Sequence, residues 1–302
     1  MTALSTAPGG YTEADMRRIL HQACEVVGLN AEGAEVLRGH TNAVLRLHRR
    51  PIVVKIARRG TPSEAAERTV RFTQWLMDAG FPTAPLLECD QPVLVDGRHS
   101  VTFWTYLPQS TISVTAEQLA KPLQMLHTLG RPPFDLPEHD NVRAIRRSIS
   151  ATTTLSDSDL RFLSTRADRL EEAFGEVVFE CQPGVIQGDP QHRNALHAAD
   201  GSVVLCDWDT AAIGQPEWDL VTVEVHSRRF GYGKSHYDAF ASSYGFDVTS
   251  WSGYETLRDL RELRMITTNA RKSGHTPGSI DEVEGRIRGL RRGEADLQWR
   301  IL

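Results

Sequence analysis

Cysteine is scarce in this sequence. There are four in 302 residues, Cys24, Cys89, Cys181 and Cys206, and none stands in a C-x-x-C pair. That argues against a disulfide frame or a structural zinc site and for reduced thiols in a cytoplasmic compartment. Long apolar runs are missing too: nothing approaches the roughly 20 residues that span a bilayer. The opening MTALSTAPGG lacks the basic start and apolar core of a signal peptide. Positive charge is not in excess, with 34 Lys and Arg against 39 Asp and Glu and a formal net charge of −5. A nucleic-acid partner usually wants the opposite balance. The patterns G-x-x-x-x-G-K-[ST], H-E-x-x-H and G-x-S-x-G are absent, which removes P-loop enzymes, zinc proteases of that type and serine hydrolases. There is no internal repeat.

What is there is an ordinary globular composition, 40% hydrophobic and 24% charged, in a chain long enough for two lobes. Residues 1–10 read as a loose tail and 12–27 as a helix opened by a Thr12–Asp15 capping pattern. EVLR, AVLRL and PIVVKIA then form a three-strand meander separated by turns at GHTN and Arg49-Arg50. TPSE, with Thr61 as cap and Pro62 in the first turn, opens a helix that stops at Gly80. PVLVD and SVTFWTYL pair across Asp96-Gly97, a strong hairpin signal. Beyond Pro108 the pattern is mainly helical, at 116–129, 157–174, 235–244, 254–270 and 279–299. The fold expected is therefore α+β and bilobal. A small N-terminal lobe (1–107) of five antiparallel strands and one helix would bind nucleotide, and a larger helical lobe (108–302) would carry a short catalytic β-hairpin.

That hairpin is the informative part: VIQGDPQHRNALHAADGSVVLCDWD. Asp189 precedes Asn194 by five residues, and the runs ALHA and VVLC are equal in length about an Asp200-Gly201 turn. Asn194 enters the first strand and Asp207 leaves the second, so both belong to the same end of the hairpin. A carboxylate and an amide oxygen there are hard ligands of the kind Mg²⁺ takes while sharing its site with phosphates. Phosphoryl transfer needs such a metal, a carboxylate to orient the attacking hydroxyl, and a lysine for the phosphates that stay behind. Asp189 suits the second role. Lys55, a charge inside the apolar run PIVVKIA, suits the third, because burying it calls for an anionic partner. A Glu on the following helix would help hold it; Glu67 is the choice, with Glu64 second.

These segments resemble, in order, the aminoglycoside phosphotransferase and choline kinase family, distant relatives of protein kinases. The matching stretches are RGHTN, Lys55, the helix ending at Gly80-Phe81-Pro82, FWTYLP, Leu126-His127, QGDPQHRN and CDWDTAAIGQPEWDL. The resemblance implies Asp189 as the catalytic aspartate, Asn194 and Asp207 as ligands of Mg²⁺, two ions in all, and Asp219 as a brace for the catalytic loop. It implies that Gly39, Thr41 and Asn42 lie over the phosphates of ATP or GTP, and that backbone groups of Trp104 to Tyr106 contact the base. The family usually has His where Gln187 and Gln191 stand, and Gly where Gln109 follows the hinge proline.

The expected activity is transfer of the γ-phosphate to a hydroxyl of a small molecule. An antibiotic of the aminoglycoside or nucleoside type, giving resistance or self-protection, is the first choice. A metabolic sugar, amino sugar or amino alcohol is the alternative, and an inactive nucleotide-binding pseudokinase the alternative of another class. Glu217, Glu224, Glu255, Asp259 and Glu262 could line an acidic pocket for an amino sugar, or could equally pair with nearby arginines. Arg286, Arg288, Arg291 and Arg292 read as a solvated helix face, and His226, His236 and His275 as ordinary loop or surface histidines. Neither a nucleic acid nor a membrane is an expected partner; the sequence leaves the oligomeric state open.

Overall fold

In the computed structural model, residues 8–38, 42–109, 111–274 and 278–302 are described. In chain order the elements are α1 (Glu13–Val26), β1 (Glu35–Arg38), β2 (Ala43–Arg46), β3 (Ile52–Ile56), α2 (Ser63–Asp78), β4 (Val93–Val95) and β5 (His99–Thr105). There follow α3 (Ala116–Thr128), α4 (Asn141–Ser150), α5 (Asp157–Gly175), β6 (Gly184–Ile186), β7 (Ala195–His197), β8 (Val203–Leu205) and β9 (Ala212–Gly214). The chain closes with α6 (Pro216–Arg229), α7 (Lys234–Tyr244), α8 (Tyr254–Ser273) and α9 (Ser279–Arg292). No helix among the described residues is long and apolar enough to cross a membrane.

The chain forms two compact units, Met1–Ser113 with Ala195–Asp209, and Val114–Asn194 with Thr210–Leu302. In the first, the five antiparallel strands expected from the sequence run in the order β1-β2-β3-β5-β4, with β5 pairing both β3 and β4. The alternation in β3 sets its two faces. Ile52, Val54 and Ile56 are buried in a core with Met16, Ile19 and Leu20 of α1, while Val53 and Lys55 point the other way. Asp96 and Gly97 both have positive φ (52° and 64°) at the centre of a tight turn closed by the Arg98 amide on the Val95 carbonyl, and three residues separate the paired Val95 and His99 of β4 and β5. α1 is capped by the Thr12 hydroxyl, which accepts from the Asp15 amide at 3.0 Å. α2 differs from expectation: Pro62 occupies the capping position, the helix starts at Ser63, and no side chain caps it.

The β7–β8 hairpin forms, but one residue off the register that equal runs about a turn at 199–202 imply: Ala195 stands opposite Leu205 and not Cys206, because Ala198 bonds Ser202 and the turn closes over 199–201. The hairpin belongs to the first unit and not to the helical part. Leu205 joins this unit through backbone bonds, its amide to Pro82 and its carbonyl from Ala84, both 2.9 Å. In the second unit α8 packs against α4, α5, α6 and α9 around Leu260, Leu263 and Ile266. Two features escaped the sequence reading. α4 is a short amphipathic helix capped by Asp140, and β6 and β9 form a two-stranded sheet that clamps the loop between them. The helix expected over 279–299 ends at Arg292, where Gly293 takes a left-handed cap.

Candidate active site

In the first unit Lys55 sits in the middle of β3, opposite Val44 on one side and Thr102 on the other. Its ammonium lies 2.8 Å from Asp207 and 2.9 Å from Asp209. Burial alone would lower the lysine's pKa, but the two carboxylates outweigh it and hold the ammonium firmly protonated. Burial would likewise raise Asp209, yet Lys55 and hydrogen bonds from Asn42 and Thr69 keep its carboxyl below the usual range. The Asn42 amide donates to Asp209 at 2.9 Å and its oxygen accepts from the Arg58 backbone at 3.0 Å. Asp207 is held at φ 62°, a strained conformation for a residue with a side chain. Between these acids, Trp208 is buried against Phe72 and Phe81, and its indole donates to the Thr83 hydroxyl at 2.9 Å.

The partner foreseen for Lys55 needs correcting. Glu67 is exposed on α2 and makes no ion pair with Lys55 among the described residues. The helix contributes the Thr69 hydroxyl instead, 3.3 Å from Asp209. The reason is phase: 67 and 69 differ by two positions, about 200° around a helix. Gly39 and Thr41 lie outside the described residues.

On the Lys55 face of the sheet, Ala84, Leu86 and Trp104 form a small apolar cluster with Val53, Val70, Met77, Leu196 and Cys206. Leu196 comes from β7 and Val53 from β3, so the cluster joins the hairpin to the sheet within this unit. Sequence reasoning missed this cluster because its members are far apart in the chain. Along the neighbouring edge, the Thr105 amide donates to Pro85 at 2.9 Å and the Tyr106 amide to Pro51 at 2.8 Å, so those two donors are already used within the unit. Gln109 bonds the His197 backbone twice, donating at 3.1 Å and accepting at 2.9 Å.

In the second unit the Asp189 loop is built around Asp219. That carboxylate is fully buried and accepts the Gln187 amide (2.7 Å), the Gly188 amide (2.9 Å) and His127 Nε2 (3.1 Å). Trp218 donates to the Gly188 carbonyl at 2.9 Å, and Thr210 to the Gln187 carbonyl at 2.9 Å. Gly188 is required: its φ is 82°, and a Cβ there would sit 2.5 Å from the Thr210 carbonyl oxygen. The two glutamines of the loop, Gln187 and Gln191, both hold Asp189. Gln187 accepts the Asp189 amide at 2.7 Å, and Gln191 donates to Asp189 Oδ2 at 2.9 Å. Asn194 donates to the Asp189 carbonyl at 3.0 Å.

Arg261 of α8 donates to Asp189 Oδ1, a contact the sequence did not reveal. His226 also departs from expectation. It is buried on α6 beside Arg261, and burial drives it down to about 3. Arg286, expected on a solvated face, is buried over the Trp299 ring and paired with Glu282. His275 lies outside the described residues.

A lysine on two carboxylates and a braced aspartate loop are parts of phosphoryl-transfer chemistry. Residues 32–260 match the model of the phosphotransferase enzyme family. The chain belongs to that family. As a member it is a phosphotransferase with an alcohol group as acceptor, and its fold is protein-kinase-like. Solved structures agree on the fold. Choline kinase LicA from Streptococcus pneumoniae superposes with a TM-score of 0.68 at 17% identity, covering 92% of this chain and 99% of that one. The amicoumacin kinase hAmiN, solved with AMP-PNP, Ca²⁺ and Ami, gives 0.69 at 10% identity over 95% and 98%. The spectinomycin phosphotransferase APH(9)-Ia, solved with ADP and spectinomycin, gives 0.60 at 14% over 91% and 93%. No curated protein sequence matches the chain.

Proposed function

We propose that this phosphotransferase moves the γ-phosphoryl group of ATP or GTP onto a hydroxyl of a small molecule that is not a polycation, in the cytoplasm. The bond from the γ-phosphorus to the β–γ bridging oxygen breaks and a bond to the acceptor oxygen forms. The hydroxyl proton passes to Asp189 and on to water, and the nucleoside diphosphate leaves. Asp189 orients the hydroxyl. Because the transition state is loose, an ordinary carboxylate suffices as a late proton acceptor. Lys55 holds the phosphates that stay with the nucleotide, Asn42 steadies the acids beneath them, and Glu67 has no part in that pairing. The cluster of Val53, Trp104 and Leu196 takes the base, with backbone carbonyls from Trp104 to Tyr106 on its edge.

Asp207 and Asn194 each carry a hard oxygen of the kind Mg²⁺ prefers, and that donor chemistry supports assigning them to it. Two ions are expected, and when bound they neutralise charge on the phosphate oxygens.

The observation that carries the reading is the pairing of Lys55 with Asp207 and Asp209, since a buried cation shared by two acids can pass one of them to a metal and itself to a phosphate. The acceptor class is narrowed by charge. Of the five acids that could have met an aminoglycoside, four are committed elsewhere, and the fifth, Glu255, is exposed on the surface with a 3.9 Å contact to Arg258. Glu262 pairs with Arg228 and Arg229, Glu224 with Arg228, and Asp259 with Arg166 and Arg258. Glu217 accepts two backbone amides, from Glu180 and Cys181. A nucleoside antibiotic, or a metabolic sugar or alcohol, suits this surface better.

The test is a thermal-shift screen with ATP and GTP, each with Mg²⁺, crossed with aminoglycosides, nucleoside antibiotics and sugars, followed by a transfer assay on the hits. A Mg²⁺-dependent nucleotide shift, with transfer lowered about 10³-fold in Asp189→Ala at unchanged nucleotide affinity, is the expected result. No shift with either nucleotide at millimolar concentration would point to a pseudokinase and sink the proposal.

A further inference from the structure

Both carboxylate oxygens of Asp189 are engaged, Oδ1 by Arg261 and Oδ2 by Gln191. An acceptor hydroxyl needs one of them. Gln191 is neutral and belongs to the same loop. Arg261 is a full charge from another element, 5% exposed, and its Nε is buried with no partner.

Arg264 stands one turn further along α8, and both guanidinium carbons lie over the Trp218 ring, at 5.6 and 5.8 Å from its centre. Arg264 donates to the Asn141 amide oxygen at 2.7 Å, and among the described residues no carboxylate forms an ion pair with it. Burial, with the charge of Arg261 beside it, lowers Arg264 to about 10. The other groups facing the pair add no anion at contact. His139, 4.9 Å from Trp218, and His226, 3.4 Å from Arg261, are both kept neutral by burial. Asp140 and Arg147 contribute one charge of each sign at longer range. Two guanidinium groups therefore share a single close carboxylate, and one of them has a buried donor to spare. Such an excess of buried positive charge is costly until an anion arrives.

Given the kinase reading above, we infer that Arg261 and Arg264 form an anion subsite beside Asp189, so that the acceptor carries a carboxylate or phosphate group near the hydroxyl that is phosphorylated. The planar guanidinium fork matches either anion. When the acceptor binds, Arg261 exchanges Asp189 for the acceptor's anion and Oδ1 becomes free to take the hydroxyl. Without acceptor Oδ1 stays capped, which protects the bound nucleotide from attack by water.

The test loads the protein with Mg²⁺ and a non-hydrolysable ATP analogue, then titrates glycerate, glycerol 3-phosphate, glycerol and 2-amino-1,3-propanediol in a calorimeter. The two anions should bind at least tenfold more tightly than glycerol, and the amine most weakly. The stronger of the two anions tells carboxylate from phosphate. Arg264→Ala and Arg261→Ala should each remove the anion preference tenfold or more while binding of the nucleotide analogue persists, and Arg261→Lys should restore part of it. Should Arg261→Ala fail to fold, Arg264→Ala decides alone. Equal binding of glycerol and the anions, no anion binding, or a preference that survives Arg264→Ala would overturn the subsite and leave the kinase reading standing. Failure of the parent protein to bind the nucleotide analogue would instead defeat the kinase reading, and the subsite's role with it.

Discussion

Lys55 in the first unit and Asp219 in the second are both ionic groups at the centre of their sites, yet they are held by different means. Lys55 meets two carboxylates whose side chains are 45% and 42% exposed. Asp219 is fully buried and meets two backbone amides and an imidazole, all from its own unit. A charge pair whose carboxylates are half exposed is exchangeable, because water competes for the acids even where the lysine is largely buried. A buried carboxylate with its donors satisfied is fixed, because each unmade bond would leave a desolvated group behind. The first arrangement suits a place where phosphates and metal must displace what is there. The second suits a loop whose shape must not change while they do.

If that contrast is right, the largest effect on stability comes from the second unit. Asp219→Ala should cost about 3–5 kcal/mol, since it strands the Gln187 and Gly188 amides and the His127 proton in the interior. Urea unfolding followed by tryptophan fluorescence would measure it. A loss under 1 kcal/mol would mean that the loop is braced by other bonds. Lys55→Met should act in the opposite sense. It should barely move the melting temperature but weaken Mg²⁺-nucleotide binding about 100-fold, the order of a lost charge-assisted contact to phosphate. A large drop in stability would show that the pair is structural after all.

A third test uses pH. Burial lowers His139 and His226 to about 3 in the folded chain, whereas in the unfolded chain they titrate near 6.5. Between those values the unfolded state binds more protons, so stability rises with pH through the window and falls on acidification. Each histidine should contribute about 1.4 kcal/mol per pH unit below 6.5. Urea midpoints at pH 7.0 and 5.5 would reveal the slope, and His139→Gln should shed about half of it. The smallest effect is assigned to Glu67→Gln, which should leave nucleotide affinity within about twofold, as befits an exposed side chain off the Lys55 pair. Asp209→Asn at the same site should weaken binding noticeably more, and the reverse order would restore Glu67 as the lysine's partner.

Local signals carried much of this protein. Asp96-Gly97 and the short runs of β-branched residues announced the five strands, and Thr12 announced the start of α1, because turn chemistry, capping and period-2 patterning act over a few residues. Lys55 stood out as a charge in an apolar strand, and the Asp200-Gly201 turn announced the β7–β8 hairpin, whose register lies one residue from the one that equal runs imply. The helix α4 hid because its apolar positions, Val142, Ile145 and Ile149, are few among arginines and serines. The short β6 and β9 hid because three-residue strands have no period to read.

The sequence by itself determined the elements, the turn geometry and which residues carry chemistry, since all of these depend on neighbours along the chain. Only the tertiary structure decided what those residues meet. Thr69 on Asp209, Gln109 on His197, Trp104 beside Leu196 and Arg261 on Asp189 join residues 70 or more positions apart. No local preference encodes such pairings; they follow from which faces are buried together and from the requirement that buried charge and buried polar groups find partners there.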